Sequence, residues 1–217
     1  MAISRKKILY DGSFAHCTWR CLNREFLLQD SKIKDYILAT WAKYKERYQV
    51  KIYDYAIMDN HVHMLIHANS VDNLGNFMRT CNSLIARFIN KTLKRDSHAL
   101  RERYQSPLIE EDSYLINTIG YIWLNFYRAT GLRAEDYKYC SLYYRFRGMV
   151  NKVLDDYADL PLVIGAKMQK FIVDILTRFM SMKKKLVSSV FEHNHTIGSY
   201  RLTKSRGQFF ANMRKRE

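Results

Sequence analysis

The sequence predicts an α+β fold, an antiparallel sheet with helices on one or both faces. Three observations carry that prediction. Short apolar runs of strand character occupy residues 16–28, 50–57 and 61–67, the last two separated by a break at Asp59 and Asn60. Longer stretches at 71–95 and 113–130 repeat apolar residues at helical spacing. The chain has 217 residues, enough to bury one substantial core with an appendage.

Taken in order, HCTWRCLNREFLL (16–28) reads as a first strand running into a turn at Asn23. Asp30 or Ser31 can cap a helix over KIKDYILATWAKYKERY, whose Ile33, Ile37, Trp41 and Tyr44 or Tyr48 form an amphipathic stripe able to cover one sheet face. Residues 50–57 and 61–67 pair as a hairpin. The helix at 71–95 carries Leu74, Phe77, Met78, Cys81, Leu84, Ile85, Phe88, Ile89 and Leu93 on its apolar stripe. Residues 101–110 read as a short strand whose Pro107 favours an edge or a bulge, and a further helix follows to Thr130. The order strand, helix, hairpin, helix, short strand, helix predicts a ferredoxin-like arrangement. From Met149 the reading is helical, MVNKVLDDYADL stopped by Pro161, then a second apolar helix from Val163 to Met182 before Lys183, Lys184 and Lys185. Two parts are therefore expected, a domain over 1–147 and a helical, basic C-terminal extension over 148–217.

Thirty-six Lys and Arg against 21 Asp and Glu give a net charge of +15, which calls for a large anionic partner, nucleic acid first. No segment has 18 uncharged apolar residues and the N-terminus lacks a long apolar region, so the expectation is a cytoplasmic protein without membrane contact. Cys17, Cys21, Cys81 and Cys140 form no CxxC pair, which argues against a disulfide framework or a structural zinc. There is no glycine-rich phosphate loop, hence no nucleotide cofactor. Aromatics interleave with basic residues in YKYCSLYYRFR (137–147), as base stacking would use, although core packing explains most such tyrosines more simply.

The densest chemical signal is YAIMDNHVHMLIH (55–67). In a strand, His61 and His63 point to one face and can converge on one cation, leaving most of its coordination positions open. Packed, hydrogen-bonded histidines are the competing reading. On the later helix Tyr121 and Asn125 are four apart and share a face, so a tyrosine nucleophile would stand one turn from an amide ligand. Tyr114 and Tyr127 lie on the same helix, and core packing is the alternative for all three.

HCTWRCLNR, YAIMDNHVHMLIH, FMRTCNSLIARFIN, RYQSPLIEEDSYLINTIGYIWLNFYRATGL and EDYKYCSLYYR occur in an order that resembles the single-tyrosine HUH transposases of the insertion-sequence 200 type, most closely their REP-associated branch. The resemblance spans residues 10–147. It implies the HUH endonuclease fold, a divalent ion (Mg2+ or Mn2+) bound by His61 and His63, Tyr121 as the nucleophile of the YIxLN motif, and Asn125 as a further metal ligand. Where relatives have proline before the residue preceding the triplet, this chain has Asp59. Where they read LNPVRAG, it reads LNFYRATG, and losing that proline lets the helix continue past Asn125.

The resemblance thus implies a metal-dependent endonuclease and strand transferase acting on single-stranded or hairpin DNA beside palindromic repeats, through a 5′-phosphotyrosine and a free 3′-hydroxyl. Arg79, Arg87, Lys91, Arg101, Arg103, Arg128, Arg201, Lys204 and Arg206 are candidate DNA contacts. A monomer is favoured over a homodimer, in a bacterial cytoplasm and associated with the nucleoid when on DNA. The competing readings are a nucleic-acid-binding protein without catalysis and a replication initiator sharing the HUH chemistry.

Overall fold

A computed structural model describes residues 9–109, 112–160 and 168–180. Strands β1 (Phe14–Arg20), β2 (Val50–Ile57), β3 (His61–Ala68) and β4 (Leu108–Ile109) form one sheet in the order β2-β3-β1-β4. Every pairing is antiparallel. Helices α1 (Ser31–Tyr44) and α2 (Val71–Leu93) alternate with these strands in the predicted ferredoxin-like sequence. They are followed by α3 (Asp112–Thr130), α4 (Ser141–Phe146) and α5 (Met168–Met180).

Alternation along the strands divides the sheet into two faces. Cys17, Trp19, Val62, Met64 and Ile66 turn to one side, where they meet Ile33, Ile37 and Trp41 of α1 and Leu74, Phe77, Cys81, Ile85 and Ile89 of α2. Leu65, Ala56 and Tyr53 turn to the other, where Leu115, Ile119, Ile122 and Trp123 of α3 cover them. The helix starts follow the expected chemistry: the Asp30 carboxylate accepts from the Lys32 amide at 2.8 Å and the Ser70 hydroxyl from the Asn73 amide at 3.0 Å. The four cysteines are buried free thiols. Among the described residues no helix is long and apolar enough to cross a membrane.

A bulge in β2 decides what reaches the α3 face. Ile52 pairs with Ile66 but Asp54 pairs with Leu65, so Tyr53 is an extra residue. Tyr53 and Asp54 therefore both serve the α3 side, and Asp54 receives the Trp123 indole N–H at 2.7 Å.

Two expectations need correction. The expected strand over 101–110 does not form at that length: among the described residues of the span only Leu108–Ile109 is strand, while Thr18 with Gln105 and Cys21 with Leu100 make isolated bridges along β1. Residues 149–156 are not helical, and Tyr157–Asp159 is a single 3-10 turn. The reason is competition by side chains: Asn151 accepts from the Val153 amide, Asp156 from the Ala158 amide, and Asp155 from the Ile52 amide at 2.7 Å and Lys45 at 2.8 Å. This segment is thereby laid along the outer edge of β2, with Tyr157, Leu160 and, from α5, Ile172 and Ile175 in the core layer beneath α3. The second helix covers Met168–Met180; residues 161–167 and Lys183, Lys184 and Lys185 lie outside the described residues.

Candidate active site

β3 begins at His61, directly after a turn that is held from three sides. The Met58 amide bonds the His61 carbonyl at 2.8 Å, the Leu28 amide bonds the Asp59 carbonyl at 2.9 Å, and Lys34 reaches the Asp59 carboxylate at 2.7 Å. Asn60 gives its side-chain N–H to the Arg24 carbonyl at 3.0 Å, which turns its amide oxygen to His61 Nδ1 at 2.6 Å. His61 then carries its proton on Nδ1 and its lone pair on Nε2. The two rings of the pair meet edge to face, with centroids 4.9 Å apart.

Burial, reinforced by the positive charge of Arg20, lowers the His61 pKa from its ordinary 6.5 to about 4. Burial lowers that of His63 as well, followed by the charges of His61, His16, Arg20 and Arg128. Both are neutral at pH 7, the form in which imidazole binds metal. A prediction follows from linkage. The folded pKa of His61 lies below the unfolded one, so the unfolded chain takes up a proton first as pH falls, and stability present above 6.5 is lost towards 4. The thermal midpoint is expected to fall more steeply across that window in wild type than in His61→Gln, measured by circular dichroism. Equal slopes would contradict it.

α3 brings the remaining groups. Its apolar stripe seats on the sheet and Trp123 anchors to Asp54, which leaves Tyr121 with its ring centroid 5.3 Å from His63 and 5.7 Å from His16, both edge-on. Tyr121 is 8% exposed. Asn125 donates to the Tyr121 carbonyl at 3.1 Å and makes no hydrogen bond to His61 or His63. One turn further, the Arg128 guanidinium lies 5.2 Å from the centre of the Tyr121 ring, and its two terminal nitrogens are buried with no hydrogen-bond partner among the described residues. The helix runs five residues past Asn125, to Thr130, as the missing proline predicts. Phe126, in the proline's place, stacks on Tyr137 at 3.9 Å, and Tyr137 bonds both Lys34 and the Ile57 carbonyl. That stack ties the end of α3 to the start of the histidine hairpin.

The structure thus brings His61, His63, Tyr121 and Arg128 together. Tyr114 and Tyr127 belong to the apolar layer under α3. Arg79, Arg87 and Lys91 are exposed on α2, the helix layer of the opposite sheet face. Arg101 and Arg103 are exposed beside β1, where the Arg101 amide bonds the Arg20 carbonyl at 3.0 Å. Arg201, Lys204 and Arg206 lie outside the described residues. The sequence reading missed His16 and Arg20. The alternation His16, Thr18, Arg20 shows a polar face on β1, but only the register, Thr18 opposite His63 and Arg20 opposite His61, reveals what that face meets.

Among the described residues no cluster of three or more His, Cys, Asp or Glu is placed to hold a metal ion. The donor set available is two neutral imidazoles with an amide on the adjacent helix, which fits a labile divalent cation with several open positions rather than a closed structural site.

Three comparisons with known proteins bear on these residues. The family model for IS200-like transposases matches residues 10–125. A solved structure of a REP-associated tyrosine transposase bound to a REP hairpin superposes with a TM-score of 0.55 at 16% identity, covering 75% of this chain and 99% of that one. At that identity the likeness speaks for the fold. A crystal structure of a transposase candidate from Deinococcus radiodurans covers 53% of this chain and 91% of its own at 16% identity, with a TM-score of 0.39. No curated protein matches the chain.

Proposed function

The chain belongs to the IS200-like transposase family, and from that premise we propose that it cuts and rejoins single-stranded DNA with Tyr121 as nucleophile and His61 and His63 as the metal-binding pair. The observation that carries this reading is the meeting, within one chain, of Tyr121 with His63 and of His63 with His61. The substrate class is single-stranded DNA beside a hairpin, supported by the hairpin-bound relative of the same fold.

The residues divide the work as follows. The Tyr121 hydroxyl attacks phosphorus, forming a Tyr–O–P bond as the P–O3′ bond breaks. The phenolic proton leaves to solvent and the departing 3′-oxygen takes one up. A divalent cation, Mg2+ or Mn2+, held by His61, His63 and the Asn125 amide oxygen, would offset charge on the phosphate and polarise it. Because one phosphodiester replaces another, the reverse attack by the 3′-hydroxyl rejoins the strand without a nucleotide cofactor. Arg128, over the tyrosine ring, is the basic candidate best placed to meet the phosphate. The single-chain arrangement favours cleavage in cis by a monomer.

Incubating wild type and His61→Ala with labelled palindromic single strands from beside its own gene tests the reading. The expected result is a slower-migrating covalent band in Mg2+ or Mn2+, absent with chelator and strongly reduced in His61→Ala. Tight DNA binding without any covalent band, in every metal, would instead support a binding protein that has lost catalysis.

A further inference from the structure

We propose that His16 is a positioning residue that fixes the tautomer of His63, accepting the His63 Nδ1 proton and so reserving the His63 Nε2 lone pair for a ligand. His16 Nε2 and His63 Nδ1 are 3.0 Å apart and both side chains are buried. The fold sets this up through register. His16 stands opposite Leu65 and Thr18 opposite His63, so the two histidines are diagonal neighbours on one sheet face, a separation that two ring side chains can span.

The hydrogen bond admits two neutral arrangements. In one, His63 donates and keeps a bare Nε2; in the other, His16 donates and His63 Nε2 carries hydrogen. The surroundings choose between them. His63 lies between His16 and Arg20 on this sheet face, His16 standing opposite Leu65 and Arg20 opposite His61, so the positive charge of Arg20 acts on it from the side away from His16. A lone pair is the negative end of the imidazole dipole and is favoured in that field, whereas an N–H is repelled. The His16 ring also packs T-shaped with Tyr121, so the same side chain holds the tyrosine beside the His63 ring.

The consequence for metal binding rests on the proposed function; the tautomer itself does not. Nitrogen-15 NMR of the full chain with labelled histidine, near neutral pH and without metal, reads the tautomer directly. His63 is expected as the Nδ1–H form, and finding it as Nε2–H would overturn the proposal. Manganese affinity, followed by the EPR signal of the free ion, gives the second reading. His16→Phe keeps the ring contacts and loses the acceptor, and is expected to weaken Mn2+ binding about 10–100-fold. His16→Gln restores an acceptor and is expected to recover most of that loss. Mn2+ binding in His16→Phe equal to wild type would overturn the positioning role. Wild type that shows the Nδ1–H form yet binds no Mn2+ would refute the metal reading while leaving the role of His16 standing.

Discussion

Tyr121→Phe is expected to abolish the covalent protein–DNA adduct and to lower strand cleavage by at least about a thousandfold, with DNA affinity close to wild type. The substitution keeps the ring and its packing against three neighbours. His63 and His16 pack T-shaped against it and Arg128 lies over its face, and a phenylalanine keeps all three contacts. Only the oxygen that would bond to phosphorus is removed. Tyr114→Phe and Tyr127→Phe alter tyrosines of the apolar layer and are expected to retain the adduct. Gel analysis of the adduct together with fluorescence anisotropy for binding separates the two effects. An adduct of normal yield in Tyr121→Phe would remove the tyrosine from the chemistry.

The largest stability effect is expected at Asp54. Its carboxylate is 0% exposed and accepts from the Trp123 indole at 2.7 Å, the Ser141 hydroxyl at 2.7 Å, the Tyr157 hydroxyl and the Arg145 guanidinium at 3.4 Å. These donors come from α3, α4 and the strap along β2, so one buried carboxylate ties three elements to the bulge that exposes it to them. Asp54→Ala leaves Arg145 without its buried counter-charge and three donors unmatched, which costs about 3–5 kcal/mol. For a chain of this length that lowers the thermal midpoint by roughly 6–20 °C. A loss under about 1 kcal/mol, the range of an exposed ion pair, would contradict the reading of Asp54 as the anchor of the α3 face. The effect reaches function through Trp123, two residues from Tyr121 on α3.

The parts of this molecule legible in its sequence are those whose period is local. The hairpin at β2 and β3 and the helices α1 and α2 show themselves by alternation and by the 3.6-residue repeat, and Asp30, one of the two cap candidates read for α1, stands where the chain enters that helix. His61 with His63, and Tyr121 with Asn125, are likewise local pairs. What lay hidden depends on contacts distant in sequence. His16 is 47 residues from His63, and nothing in HCTWR names its partner until the register is known. Residues 149–156 carry a helical pattern, yet Asp155 gains more from the Ile52 amide and Lys45 than a helix would give it. Among the basic residues, composition cannot rank Arg128 above Arg79, Arg87 or Lys91. The fold does, by seating one at the tyrosine ring and the others on the layer across the sheet.

The central claim is a covalent bond between Tyr121 and DNA. Mass spectrometry of peptides from the wild-type adduct, after nuclease trimming of the bound strand, tests it most directly. The expected product is a nucleotide joined through its 5′-phosphate to the peptide carrying Tyr121, at Tyr121 itself. A modification at Tyr114, Tyr127 or any other residue would contradict it.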